Sequence, residues 1–486
     1  VARALVGSEG TCVTILEAEL QVVHRPPERA MVVLGYESVY DAADHIDEVM
    51  AEGPIGLEGL DRKLVEHAKK KHLHEDAMSE LPEGDGWLVV EFGGETKEEA
   101  RDKAERLARV IRGDAHLRRS GGAISGARPD VRVYVDRDEQ KKVWEVRESG
   151  LGSTARVPGE HDAWEGFEDA AVPPSKLGPY LRDFRKLLQR YGYDTALYGH
   201  FGQGCVHCRI NFALESREGV QKWRAFLDEA ADLVVGYGGS ISGEHGDGQS
   251  RAELLPKMFG PELIDAFRRF KHIWDPAHKM NPGKIVDARP ITADLRVGPD
   301  HHPWDPPTKL HYDSEDHGSF ARAINRCVGV GKCRDEKSGT MCPSWRATHE
   351  EEHSTRGRAR LLWEMLDGEV IRDGWRDEGV KEALDLCLAC KGCKHDCPVN
   401  VDMASYKAEF LAHYHEVHRY PRQAYAFGYI DLWSKLAEVA PGIVNAFSQH
   451  APFDAIAKWM AGVHPAREIP KFAHKTFRRD FIENVQ

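Results

Sequence analysis

Several features are scarce in this chain of 486 residues, and each scarcity removes a class of protein. Long apolar runs are missing: no stretch approaches the roughly 20 residues that cross a bilayer as a helix. No secretory signal is found, so the expected compartment is the cytoplasm, extended to a peripheral place at the inner face of a membrane. Surplus positive charge is missing too. Lys and Arg number 66 against 79 Asp and Glu, a net charge of −13, and no basic cluster offsets it, which argues against a nucleic-acid partner. Disulfide spacing is also lacking. Seven of the ten cysteines fall between 327 and 397 in metal-ligand spacing. The remaining Cys12, Cys205 and Cys208 read as buried small residues. The first residue is Val1, inside what reads as a continuing element, so a fragment of a longer protein is expected. The length predicts two or three domains, each with its own core.

What the chain does have is organised around residues 199–248. There G-H-F-G-Q-G-C-V-H-C-R-I-N-F is followed by a helical pattern and then by S-G-E-H-G-D-G. Val206, Cys208, Ile210 and Phe212 alternate with His207, Arg209 and Asn211, which predicts a strand with an apolar back and a polar front. Gly202 and Gly204 permit a tight turn before it, so that His200 and His207 meet across a hairpin. Over 217–237, Val220, Trp223, Leu227, Ala230 and Val234 recur with helical spacing, and Gly238-Gly239 ends the run. Two histidines and Glu244 brought together suit a divalent ion such as zinc with one position open, leaving His245 as a base beside it. The bland alternative is a polar strand face next to ordinary glycine loops.

The rest of the chain is read in order. L-V-G-S-E-G-T at 5–11 is a glycine-flanked loop running into an alternating strand through Ile15 and Leu20. Residues 30–140 alternate strands (31–34, 87–92, 131–135) with helices (40–50, 98–111), an α+β layer with helices on one face of a mostly antiparallel sheet. The next helix carries Trp144, Arg147 and Glu148; Arg147 is either a surface arginine or a carboxylate clamp. Residues 251–273 are helical, Asp275-Pro276 stops them, and M-N-P-G-K-I at 280–285 is a turn. From 288 to 318 the Pro-, Asp- and His-rich sequence reads as a linker whose His301, His302 and His311 are solvated.

The second half contains C-L-A-C-K-G-C-K-H-D-C-P from Cys387 to Pro398. This is the bacterial ferredoxin spacing, in which the fourth cysteine ligates the other cluster of a pair. Upstream stand Cys327, Cys333 and Cys342-Pro343, with Val330 where a middle cysteine belongs. Crossing over predicts two ligand sets. Cys342, Cys387, Cys390 and Cys393 complete a [4Fe–4S] site, while Cys327, Cys333 and Cys397 are one thiolate short. The second cluster is therefore expected as [3Fe–4S], or as [4Fe–4S] with a non-cysteine ligand. Helices are predicted at 355–367, 376–386, 402–418, 423–438 and 453–461, and the aromatic tail beyond 419 reads as core or docking surface.

These motifs in this order resemble the vanillyl-alcohol-oxidase-type FAD-linked oxidases. The resemblance is to the branch of D-2-hydroxyacid dehydrogenases that carry a two-cluster iron–sulfur domain on the same chain, and it covers residues 1 to about 420. It implies five segments. Residues 1–25 are the tail of an FAD-binding domain, 26–287 the antiparallel-sheet substrate and metal domain, and 288–318 a linker. Residues 319–420 are an all-α ferredoxin-like iron–sulfur domain, and 421–486 a helical docking segment. It implies metal ligation by His200, His207 and Glu244, proton removal by His245, and carboxylate binding by Arg147 and Arg209. It further implies FAD contacts at Gly7, Ser8, Glu9, Gly10, Thr11, Ile15 and Asn281. Gln203 departs from the pattern, which usually has aspartate there. The implied reaction oxidises a small D-2-hydroxyacid, D-2-hydroxyglutarate before D-lactate. Electrons would leave through the clusters to a quinone or an electron-transfer flavoprotein. The competing expectation is an electron-transfer and docking subunit whose flavin half lies on another chain.

Overall fold

The computed structural model describes residues 1–113, 128–337 and 339–485. Its first half is built on strands β1 (Glu28–Tyr36), β2 (Gly56–Asp61), β3 (Gly86–Gly94), β4 (Asp130–Tyr134) and β5 (Tyr198–Gly199). They form one antiparallel sheet in the order β4-β1-β3-β2-β5, with Val32 opposite Val90 and Met31 opposite Tyr134. Of these, β2 and the short β5 were not anticipated from sequence. Helices cover both faces of the sheet rather than one. Both alternating sets of side chains on its central strands are apolar, and each needs a cover. Val32, Leu34, Leu88 and Val90 pack against the helices Lys97–Arg112 and Val39–Asp44, behind which Leu177–Arg190 and then Arg217–Gly236 stack in the same core. Met31, Val33, Trp87 and Val89 pack against Arg62–Lys70 and Arg137–Glu148. Burying one such side chain contributes roughly 1.5–3 kcal/mol, so neither face could be left in water cheaply.

The helices begin where the sequence supplies caps. Thr96 accepts from the Glu99 N–H, and Gly113 at φ +113° closes that helix. Ser216 does the same for Gly219 at the start of Arg217–Gly236. Such caps are worth about 1 kcal/mol each.

Three expectations change. Residues 13–26 form no strand: Ile15 and Leu20 are exposed, and no described strand lies alongside to complete a ladder. Between 206 and 212 the alternation holds, with Val206, Cys208, Ile210 and Phe212 all in the core, but the ladder does not. The segment hydrogen-bonds every second residue to irregular chain at 164–170 (Val206 N to Ala170 O 3.0 Å, Cys208 N to Glu168 O 3.1 Å, Ile210 N to Trp164 O 2.9 Å) and makes only isolated bridges. His301 is packed, not solvated: its ring stacks on Trp363 at 5.4 Å, with Nε2 3.3 Å from Asp367.

The second half is helical around its own core of Phe320, Ile324, Leu362, Leu384, Tyr406 and Phe410. Its helices Thr355–Asp367, Glu378–Asp385 and Met403–Val417 match the predicted ones, each capped by the preceding Ser354, Asp377 or Asp402. Beyond them, the helices Arg422–Gly428, Ile430–Val439, Pro441–Gln449 and Phe453–Ala461 leave Tyr425, Trp433, Leu436 and Trp459 exposed. No described helix is long and apolar enough to cross a membrane.

Candidate metal centre and thiol sets

Strand β5 pairs with β2 through Gly59–Gly199 and Leu60–Tyr198, so the chain leaves the sheet edge at His200, next to Glu58. The turn that follows depends on Gly204 (φ +72°), where a Cβ would lie 1.8 Å from the Val172 carbonyl oxygen. It returns the chain so that His207 bridges Tyr198. The two imidazoles then meet edge to face at 5.1 Å. Glu244 reaches both: its Oε1 lies 3.2 Å from His200 Nε2 and 3.0 Å from His207 Nε2. Donor atoms of His200, His207 and Glu244 all lie within 4.8 Å of one another. Two imidazole nitrogens and a carboxylate at this spacing fit a divalent ion such as zinc.

Glu58, not anticipated from sequence, completes the setting. Its Oε1 lies 2.7 Å from His200 Nδ1, which directs His200 Nε2 toward Glu244. Ligand histidines are characteristically held this way. Burial opposes ionisation of Glu58, but the hydrogen bond with His200 and the charge of Arg147 outweigh it and hold the carboxyl low. The same hydrogen bond raises His200. Burial, helped by Arg147, lowers His207 and favours the neutral, ligating imidazole.

His245 stacks on His207 at 5.1 Å and 8°. Its Nδ1 lies 3.3 Å from Glu168 Oε1, which points Nε2 back toward Glu244 at 3.7 Å. Glu168 and Asp169 are tied to Arg251 at 2.7 and 3.2 Å. Although burial opposes it, Arg251 brings the Glu168 carboxyl down to about 2. Glu168, Asp169 and His245 are also close enough to hold an ion, but a guanidinium already neutralises that pair. Asp169, fully buried, accepts from Ser242 Oγ, Glu244 N and His245 N and so sets the loop that carries the centre.

The two predicted clamps differ. Arg147, 8 % exposed, is bound to Glu58 through Nε at 2.8 Å and lies over the Tyr198 ring. Arg209, 5 % exposed, pairs with Glu165 and keeps a buried Nε with no hydrogen-bond partner among the described residues. The predicted flavin-contact residues mostly gather beside the loop. Glu9 accepts from Asp247 N at 2.6 Å and Gly248 N at 2.8 Å, and its carbonyl accepts from Asn281 Nδ2 at 3.0 Å. Lys271, buried and unflagged by the sequence reading, donates to Thr11 O and Met280 O, joining the same two segments. Gly7, Ser8 and Gly10 lie in the turn that Glu9 anchors, with Ser8 buried, whereas Ile15 stands out in solvent.

The seven cysteines of the second half gather in two adjoining groups. Cys342, Cys387, Cys390 and Cys393 line one small cavity, closed by Thr355 and Arg358. Cys342 Sγ takes hydrogen bonds from Thr355 N at 3.0 Å and shares one with Thr355 Oγ1 at 2.8 Å. Such bonds suit a thiolate. Cys327, Cys333 and Cys397 act on one another electrostatically: burial and then its neighbours raise Cys327 and Cys397. Cys333 also shares a hydrogen bond with Cys342 that lowers the Cys333 thiol and raises that of Cys342, so the two sets adjoin. Seven free thiols in two adjoining groups fit a cluster pair. Cys12, Cys205 and Cys208 are buried and apart, as expected.

Known proteins share both halves. Residues 25–285 match the family described as FAD linked oxidases, C-terminal domain, and residues 323–401 match the 4Fe-4S dicluster domain. The chain belongs to the FAD-linked oxidases. Within that family it is 31 % identical to a D-2-hydroxyglutarate dehydrogenase of Pseudomonas putida, over 91 % of this chain and 46 % of that protein. The corresponding enzyme of Escherichia coli is 26 % identical over 92 % of this chain and 47 % of its own. A D-lactate dehydrogenase of Archaeoglobus fulgidus is 30 % identical but overlaps only 58 % of this chain and 57 % of its own. The chain therefore spans about half the length of the D-2-hydroxyglutarate dehydrogenases it matches.

Proposed function

We propose that this chain is the substrate, metal and cluster-bearing part of an FAD-linked D-2-hydroxyacid dehydrogenase, with D-2-hydroxyglutarate as substrate. The observation that carries the reading is the convergence of His200, His207 and Glu244 with His245 at their side, against the loop anchored by Glu9 and Asn281. When bound, FAD supplies the hydride acceptor, a divalent ion such as zinc a Lewis acid, and the clusters a one-electron path. His200, His207 and Glu244 would hold the ion. His245 Nε2 would take the hydroxyl proton, because Nδ1 faces the ionised Glu168 and fixes the tautomer. The imidazolium so formed would be stabilised by that same carboxylate. Arg209, with its free Nε, would bind a substrate carboxylate, while Arg147 serves by orienting Glu58 unless substrate displaces it.

The choice of D-2-hydroxyglutarate rests on overlap. The D-2-hydroxyglutarate dehydrogenases match over 91–92 % of this chain, whereas the D-lactate dehydrogenase matches over only 58 % of it. Reading the seven cysteines as holding one [4Fe–4S] cluster and a second of [3Fe–4S] or [4Fe–4S] type belongs to the same proposal. So does an outside acceptor, a quinone or an electron-transfer flavoprotein, met peripherally at a membrane or in solution. The test is anaerobic addition of D-2-hydroxyglutarate, D-lactate or their L-forms to the FAD-loaded full-length protein. Flavin bleaching by D-2-hydroxyglutarate that is lost in His245→Ala is expected. Bleaching by none of these acids sinks the dehydrogenase reading and favours an electron-carrier role.

A further inference from the structure

One short segment, residues 147–155, touches both centres. At its start Arg147 holds Glu58 behind the histidines. A Cβ at Gly152 would lie 2.5 Å from Cβ of Pro398, the residue after Cys397, so backbone and proline are in direct contact there. Ala155 at its end is packed into the core of the iron–sulfur half.

Beneath this segment lies Lys71, the residue after the helix Arg62–Lys70, only 9 % exposed. Its Nζ donates to Gly152 O and Ala155 O, each at 2.6 Å. Nearby buried cations have carboxylate partners: Arg326 pairs with Asp316 at 2.7 Å, and Arg209 with Glu165. Lys71 pairs with no carboxylate among the described residues. Burial works against its charge and brings the ammonium down to about 7; the strongest opposing influence is the thiolate of Cys397. An ammonium buried without a carboxylate is costly unless another anion lies near. Two anions favour its charge, the thiolate of Cys397 first and the more weakly acting Glu315 carboxylate after it, and Cys397 belongs to the three-cysteine set.

We propose that Lys71 is a positioning residue that sets the reduction potential of the cluster held by Cys327, Cys333 and Cys397. This rests on the reading that the chain carries two clusters. A buried cation favours the more negative, reduced form of a nearby centre, so it raises the potential. It also ties the segment that faces the histidine centre to the Cys397-Pro398 turn, which fixes the approach of one half to the other.

The test is a potentiometric titration of the full-length holoprotein, reduced with dithionite and followed by EPR. In Lys71→Met the midpoint of the three-cysteine cluster should fall, by about 59 mV if the charge is worth tenfold in a one-electron couple. Lys71→Arg, which keeps the charge, should restore it. Lys71→Gln, which keeps a donor for one carbonyl, should fall like Lys71→Met and serves if the Met variant does not assemble. An unchanged midpoint in both neutral variants, or an equal fall in Lys71→Arg, overturns the inference, since a purely structural lysine would not separate charge from shape. Because dithionite is the reductant, the outcome is independent of the hydroxyacid. Absence of a second cluster signal in the wild type would instead overturn the two-cluster reading, and this inference with it.

Discussion

The histidine centre and the thiol sets lie on one chain but are assembled in different ways. Glu58, His200, His207, Glu244 and His245 come from positions scattered over almost 190 residues. They are held by a sheet edge, a glycine turn and a loop fixed on the buried Asp169. Every one of these groups already has a hydrogen-bond or ion-pair partner within the protein. The cysteines come from two compact motifs in loops and short helical turns between the longer helices, where Cys390 is exposed and Cys327 and Cys387 are half-buried. One site is preorganised by fold, while the other expects its inorganic partner to finish it. Metal binding should therefore be a small perturbation in the first half and a folding event in the second.

The largest effect that could break this contrast is loss of a cluster. Cys393→Ala should abolish the four-cysteine cluster, with the matching fall in bound iron, and remove the thermal transition of the iron–sulfur half. Calorimetry showing that transition intact would make the second half as preorganised as the first. Next in size, Gly152→Val places a side chain into Pro398 and should destabilise the junction by about 1–3 kcal/mol. Two thermal transitions drawn further apart, with bound zinc unchanged, would confirm that the clash lies between the halves. Smaller again, Glu58→Gln should weaken zinc binding about 10–100-fold without moving the melting temperature, as read by calorimetric titration. A lower melting temperature would mean that Glu58 supports the fold rather than the ion.

A further effect concerns acid. The Glu168 carboxyl lies below its ordinary 4.5, at about 2, despite its burial, because Arg251 pairs with it. A depressed folded-state value gives stability that is present above about 4.5 and is lost as pH falls toward 2. Arg251→Gln should remove this contribution, on the order of 3 kcal/mol, so the variant's unfolding free energy should change less across that window than the wild type's. An identical slope in both proteins would disconnect the pair from acid stability.

Much of this was legible from residue order. Helices Arg217–Gly236, Thr355–Asp367 and Met403–Val417 follow their spacing and caps closely, because these are local properties. His200, His207 and Glu244 were flagged by glycine-flanked motifs, and the thiol sets by ferredoxin spacing. Glu58 was not, because it is an ordinary glutamate in a short strand that only the pairing of β2 with β5 brings to His200. The strand expected through Ile15 and Leu20 failed for a related reason: alternation is a local pattern, whereas a strand requires a neighbour.

Sequence alone therefore singled out the side chains proposed for metal, iron and flavin, and determined where most helices start and stop. Those properties depend on residue chemistry and on contacts within a few positions. The tertiary structure decided that Arg147 rests on Glu58, that Arg251 holds Glu168 ionised, and that Lys71 lies buried between the two halves. Each of these pairs joins residues from 80 to almost 90 positions apart, and in each the burial of charge, which no local pattern records, fixes what the residue does.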